Sequence, residues 1–438
     1  MKTVFQILNG TLFFLKKIKI FPFFFQVTLF MIFCYLMVSL AAPPSLSSLN
    51  TGMLILWHVW WPLIPFLILL TGRLWCSVCP FSATAIVLNK LFPFRILNNA
   101  VLMKNRIALG LVVFVLIISA DNVFSIAANQ KYTFYFFLSL FTILVVMAIL
   151  FDYKTFCNVV CPFNLFAYLY RHFSFLKIEK KDALCSKCRH REWVPNKPLN
   201  ETGLNTHRKA NYYEDWRYTL ECLKKCKTNA AHLKFLNPFG KNPPADELKI
   251  IEALSPSIII VLFTTYVFLK SNYVANIFLR IQSYYSIHFD TFLFLAMTIA
   301  LLAAILLNLV VLVIAMNLLK IDRTIILKGF YCFVPMLILF HLSLALKDAR
   351  GIVSLQHAYS FMGALDLYIP KKNVMQVVSY ILVATGILIS AISLLRFSRH
   401  SLNSTINVAS FFLFLCGAIF GLNSLLTITT IKYLQYFG

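Results

Sequence analysis

Charged side chains are scarce in this chain. Asp, Glu, Lys and Arg make up 13% of its 438 residues, and only 16 residues are acidic. Soluble domains carry about 25% charge, so the shortfall argues against an ordinary soluble protein. Strand-like alternation of polar and apolar residues is lacking too, which argues against a membrane β-barrel. No nucleic-acid-binding motif accompanies the basic residues. The net charge of +24 therefore reads as membrane topology plus attraction to anionic lipid headgroups, and a nucleic-acid partner is not expected.

What is present is apolar: 60% of the chain is hydrophobic. A bilayer core takes about 20 apolar residues per helix. Nine stretches qualify: Phe21–Ala42, Gly52–Thr71, Ile107–Ala128, Tyr132–Phe151, Leu254–Leu269, Thr291–Leu319, Ile325–Leu346, Val374–Leu395 and Val408–Ile428. The fifth is short and opens near Pro256; the sixth is long enough to tilt. Lys16, Lys17 and Lys19 precede the first stretch, which ends at Ala41-Ala42-Pro43. That run starts too late and is too long for a signal-peptide core, so it reads as an uncleaved first span. With the N-terminus inside, 32 of the 40 Lys and Arg residues fall on the inner side, as the positive-inside rule requires. The expected fold is an all-α polytopic membrane protein of about nine transmembrane helices with a small cytoplasmic cysteine-rich loop domain. Its expected location is the bacterial inner (cytoplasmic) membrane. Four spans fall in 1–172, a polar segment in 173–250 and five spans in 251–438. The outer loops are short, so periplasmic chemistry would belong to another subunit.

The chain contains a repeat. The second span ends in Gly72-Arg73-Leu74-Trp75-Cys76-Ser77-Val78-Cys79-Pro80-Phe81, and the fourth in Tyr153-Lys154-Thr155-Phe156-Cys157-Asn158-Val159-Val160-Cys161-Pro162-Phe163. Both read basic residue, aromatic, cysteine pair, proline, phenylalanine, at the same end of an out-to-in helix. If the copies pack face to face, Cys76, Cys79, Cys157 and Cys161 converge at the cytoplasmic rim. They could ligate a cluster, form a redox dithiol pair, or merely shape tight turns.

Eight of the eleven cysteines lie in close pairs on the expected cytoplasmic side. That compartment is reducing, so metal binding is favoured over disulfides. The other three, Cys34, Cys332 and Cys416, sit singly in spans and read as small buried hydrophobes. In the polar segment, Cys185-x2-Cys188 and Cys222-x3-Cys226 supply four thiolates, the set a [4Fe–4S] cluster needs. A four-cysteine zinc site uses the same ligands, and spacing leaves both open. A segment so poor in aliphatic residues also needs a metal staple to fold.

Gly72-Arg73, Trp75-Cys76 with Cys79-Pro80, and Cys157 with Cys161-Pro162, followed by a loop of cysteine pairs, resemble the membrane-bound polyferredoxin-type proteins. Among these are the membrane ferredoxin subunit of periplasmic nitrate reductase and the membrane part of the nitrous oxide reductase maturation protein. The resemblance covers about residues 50–230. It implies one or two [4Fe–4S] clusters and electron transfer between a cytoplasmic or quinone pool and an exported redox system. This chain differs in its first pair, C-x2-C-P where the family pattern is C-x3-C-P, and in carrying four loop cysteines.

Polar residues inside spans are functional suspects. His58, Asp121 and His341 fall near the outer ends of their spans, where they could serve a quinone or a haem b, or simply hydrogen-bond within the bundle. Trp57, Trp60 and Trp61 read as an interfacial belt. The basic loop would steer an acidic electron carrier. The expected role is thus a redox relay among lipid, a quinone or acidic carrier and other redox subunits, rather than a stand-alone enzyme. A metalloenzyme assembly factor or redox sensor, and a transporter with a structural zinc site, are the alternatives.

Overall fold

Apolar stretches of span length must satisfy their backbone groups internally, which a helix does. The structure, a computed structural model, describes residues 23–43, 50–92, 96–151, 155–170, 173–180, 231–235, 250–269, 289–317, 323–349 and 372–398. Its helices are α1 (Phe23–Ala41), α2 (Thr51–Thr71), α3 (Pro80–Leu91), α4 (Arg106–Phe124), α5 (Gln130–Leu150), α6 (Asn164–Tyr170), α7 (Ile250–Leu269), α8 (Phe289–Asn317), α9 (Arg323–Tyr331), α10 (Val334–Ala349) and α11 (Lys372–Ser398).

Among the described residues, six helical stretches are long and apolar enough to cross a membrane: α1, α2, α4, α5, Ile250–Val267 of α7, and Leu327–Leu346, which α9 and α10 share. The expected sixth and eighth spans are helical as α8 and α11. Their qualifying apolar stretches, Phe294–Val310 and Val377–Ser393, are shorter. The expected ninth, Val408–Ile428, lies outside the described residues. Among the described residues, six of the nine expected spans are thus both long and apolar enough to cross a membrane. Large apolar side chains remain exposed along them, including Phe23, Met31, Val38, Val112, Leu116 and Tyr135. Such a surface is unfavourable in water and suits lipid.

The fifth span begins earlier than its proline suggests. α7 starts at Ile250, and Pro256 lies inside it. Proline removes the N–H that would bond the carbonyl four residues back, here Glu252. Ser255 Oγ donates to that carbonyl instead, at 2.9 Å, so the helix passes through the proline without an orphaned acceptor.

Beside the helices there is one short strand pair. β1 (Leu176–Lys180) pairs antiparallel with β2 (Ala231–Phe235), with Leu176 opposite Phe235 and Lys180 opposite Ala231. The pair brings together the two ends of 181–230, the stretch that carries the four loop cysteines.

By internal contacts the chain forms two compact units. The first comprises Met1–Ser39, Ile64–Arg106 and Phe137–Lys241; the second comprises Leu40–Leu63, Ile107–Phe136 and Asn242–Gly438. They interleave in sequence because α2 and α5 contribute residues to both. The first is cored by Phe33 of α1, whose ring meets Phe81 at 5.1 Å, Phe137 at 6.3 Å and Phe141 at 6.4 Å. In the second, Phe263 of α7 meets Phe114 at 5.3 Å and Phe340 at 6.1 Å. There α10 and α11 approach closely at Gly386, where a Cβ would come within 3.1 Å of the Met336 backbone. Small residues permit such approaches between helices in lipid.

Candidate metal centre

All four rim cysteines belong to the first unit. α2 runs on into a 3-10 turn, Gly72–Ser77, that carries Cys76. The turn opens at Gly72 with φ of 60°, a left-handed conformation that costs glycine nothing. Cys79 is extended, at φ −62° and ψ 130°, and Pro80 starts α3 as its first residue. Proline suits that position, where the N–H is unused, and it drives the preceding residue extended.

The second copy does the same by a different winding. Cys157 sits in a π-helical turn, Phe156–Val160, closed by Cys161 N donating to Phe156 O at 2.9 Å. Cys161 is extended, at φ −55° and ψ 122°, before Pro162. A 3-10 turn is tighter than an α-helix and a π turn wider. The three-residue step from Cys76 to Cys79 and the four-residue step from Cys157 to Cys161 therefore each take the chain roughly once around. This accounts physically for the C-x2-C departure in the first copy.

Side chains brace both turns. Gln26 of α1 donates to Ser77 O at 2.7 Å. Asn99 donates to Thr155 Oγ1 at 3.0 Å, and Leu97 N to Leu150 O at 2.9 Å. Asn164 Nδ2 donates to Asn158 O across the second turn. Phe175 N donates to Leu69 O at 3.0 Å, which ties the residue before β1 to the end of α2.

Residues of the two copies pack against each other. Phe81 stacks on Phe156 with centroids 6.3 Å apart and planes at 14°. Cys157 and Cys161 pack with Phe81 around a buried cluster of Ala85, Leu144, Ala148 and Phe156. The electrostatics join the copies as well. Burial pushes the Cys79 thiol up to about 12, and Cys76 and Cys161 push in the same direction, while the N–H groups of Phe81 and Ser82 act against them. A thiol held protonated in this way gives up its proton when a cation or cluster takes the sulfur.

These four side chains are thiols of the type that holds zinc or iron–sulfur clusters, and none is in a disulfide. Among the described residues, no three or more His, Cys, Asp or Glu side chains stand close enough to hold one metal ion. A single zinc needs four sulfurs at about 2.3 Å, hence about 3.8 Å from one another. A [4Fe–4S] cube takes one thiolate on each of its irons and so spreads them further apart. Four thiols are chemically the donor set that such a cube takes.

A family model described as a 4Fe–4S binding domain matches residues 53–98 and again 133–181. Each match spans one copy of the repeat, the first with Cys76 and Cys79 and the second with Cys157 and Cys161. Together these findings support an iron–sulfur protein of ferredoxin type. The match falls on the rim pairs rather than on the loop. No curated protein sequence and no solved structure matches this chain. Cys185, Cys188, Cys222 and Cys226 lie outside the described residues.

The other candidates belong to the second unit. Both Asp121 oxygens accept hydrogen bonds, Oδ1 from Ala127 N at 2.8 Å and Oδ2 from Tyr266 OH at 2.7 Å. Asp121 thereby stabilises the turn at Ser125, whose φ of 48° is left-handed, and links α4 to α7. His341 is buried, its ring 5.2 Å from that of Phe263. His58 lies in a second π-helical turn, Ile55–Trp60, against which α10 packs. Trp57 is anchored inside the unit, Nε1 donating to Thr133 Oγ1 at 3.0 Å and the ring 5.3 Å from Trp61. Sequence reasoning passed over Ser82, Asn164 and Gln26. The first two had a signal: they occupy the same place in the repeat, three residues after Cys79 and Cys161.

Proposed function

We propose that this protein is a membrane electron-transfer protein in which Cys76, Cys79, Cys157 and Cys161 hold a [4Fe–4S] cluster at the cytoplasmic rim. One observation carries the reading. Two cysteine–proline turns of different winding pack against each other through Phe81 and Phe156, and each lies within a 4Fe–4S domain match. Mere turn-shaping would not require the copies to face one another. When bound, the cluster supplies a one-electron carrier. The chain's residues supply the thiolates, the apolar packing of Phe81 and Phe156 beside them and the bracing bonds from Gln26, Asn99 and Asn164.

Cys185, Cys188, Cys222 and Cys226 are proposed to hold a second cluster. The hydrogen bond from Phe175 to Leu69 and the strand pair favour its tethering to the same unit. The excess of Lys and Arg in this segment suits an acidic carrier as donor. A quinone pool and a membrane or exported redox system are the proposed exchange partners, with the N-terminus inside the bacterial inner membrane. EPR after dithionite reduction tests the assignment: Cys161→Ala should remove one iron–sulfur signal and Cys222→Ala a different one. An unchanged spectrum in Cys161→Ala would sink the rim assignment.

A further inference from the structure

The repeat places a buried polar side chain at the same point in each copy, three residues after the second cysteine, but the two are used differently. In the second copy it is Asn164, whose amide closes the turn by donating to Asn158 O. In the first copy it is Ser82, whose backbone N–H is one of the groups that favour the charged form of Cys79. Ser82 is 1% exposed. Its Oγ is buried and has no hydrogen-bond partner, whereas other buried hydroxyls along the chain, such as Thr133 and Ser255, donate to nearby carbonyls. Burying a hydroxyl without a partner costs about 1–3 kcal/mol, so an orphan beside a cysteine pair points to an acceptor that completes it.

We infer that Ser82 is a positioning residue whose Oγ–H donates to a sulfur of the rim centre held by Cys76, Cys79, Cys157 and Cys161, and so raises its reduction potential. This rests on the rim assignment proposed above. A hydrogen bond to sulfur withdraws electron density and favours the more negative reduced state, one of the ways a protein sets the potential of such a centre. Asn164 stands at the matching place but differs, its amide donating to Asn158 O across the turn. The two copies therefore make unequal contributions: one side braces, the other tunes.

The test compares full-length wild type with Ser82→Ala, purified anaerobically in detergent. The signal followed is the one that disappears in Cys79→Ala. Ser82→Ala is expected to keep wild-type iron and sulfide. Its midpoint in an EPR-monitored redox titration should fall by a threefold to tenfold change in the one-electron equilibrium, about 30–60 mV. The exchangeable-proton coupling seen by ENDOR after transfer to D2O should also be lost. An unchanged midpoint with an unchanged proton coupling overturns the inference. If Ser82→Ala fails to hold iron, Ser82→Thr and Ser82→Val carry the test, being equal in bulk and differing in the hydroxyl. A midpoint lower in Val than in Thr supports it, and equal midpoints refute it. Wild type without iron and sulfide would refute the rim assignment itself, and this inference with it.

Discussion

Remove the metal from the protein, and Cys79 should become an unusually unreactive thiol. Burial of its sulfur, and after it the neighbouring Cys76 and Cys161, push its pKa up to about 12. The direction is fixed by the physics: burial and like neighbours both penalise the thiolate, so a higher pH is needed to form it. At pH 8 an ordinary thiol is about one-tenth thiolate, whereas one at 12 is about one ten-thousandth. Alkylation proceeds through the thiolate, and the greater nucleophilicity of a more basic thiolate offsets part of its scarcity, so Cys79 should react about 30–60-fold more slowly than a thiol with a pKa of 9.0. The assay strips iron with chelator and oxidant, restores the thiols with a phosphine, and pulses with iodoacetamide between pH 7 and 12. Modification of the peptide holding Cys79 is then read by mass spectrometry against the same chain unfolded in detergent and urea. The reactivity of the folded protein should rise only above about pH 11. A midpoint at or below 9 would refute the claim that the site holds its thiols buried together.

Three further outcomes are expected. Phe81→Ala removes ring contacts to Phe33, Phe141 and Phe156; at about 0.5–1.5 kcal/mol per aromatic pair, it should cost about 2 kcal/mol, seen as a lower melting temperature and reduced iron per chain. Asp121→Ala should cost about 2 kcal/mol by stranding Ala127 N–H and Tyr266 OH, yet leave iron content and EPR signals at wild-type level; loss of quinol-dependent reduction without loss of stability would show a redox role for Asp121. Ser255→Ala should leave the Glu252 carbonyl without its donor and lower the melting temperature by the equivalent of about 1 kcal/mol, with no change in iron.

Much of this arrangement was legible in the sequence because lipid imposes simple constraints. Hydropathy located α1, α2, α4 and α5 within a few residues, since each must satisfy its backbone alone. The duplicated Cys-Pro-Phe signalled two equivalent turns, and their packing follows from the apolar residues flanking them. Winding was not legible: no pattern in Trp75–Cys79 announces a 3-10 turn, nor one in Phe156–Cys161 a π turn. The early start of α7 was hidden by Pro256, because the compensating bond comes from a serine hydroxyl that hydropathy ignores. The strand pair was missed because its alternation, Leu-Lys-Ile-Glu-Lys and Ala-His-Leu-Lys-Phe, lasts five residues in each strand. The hydrogen bonds of Asp121 were not legible either, since its partners Ala127 and Tyr266 are set by tertiary structure.

The most direct test is iron and acid-labile sulfide per chain in anaerobically purified protein whose four loop cysteines are all replaced by alanine. The rim assignment predicts about four irons and about four sulfides in that variant, and neither once Cys79→Ala is added. One zinc per chain with no sulfide, or complete loss of iron with the loop cysteines, would contradict it.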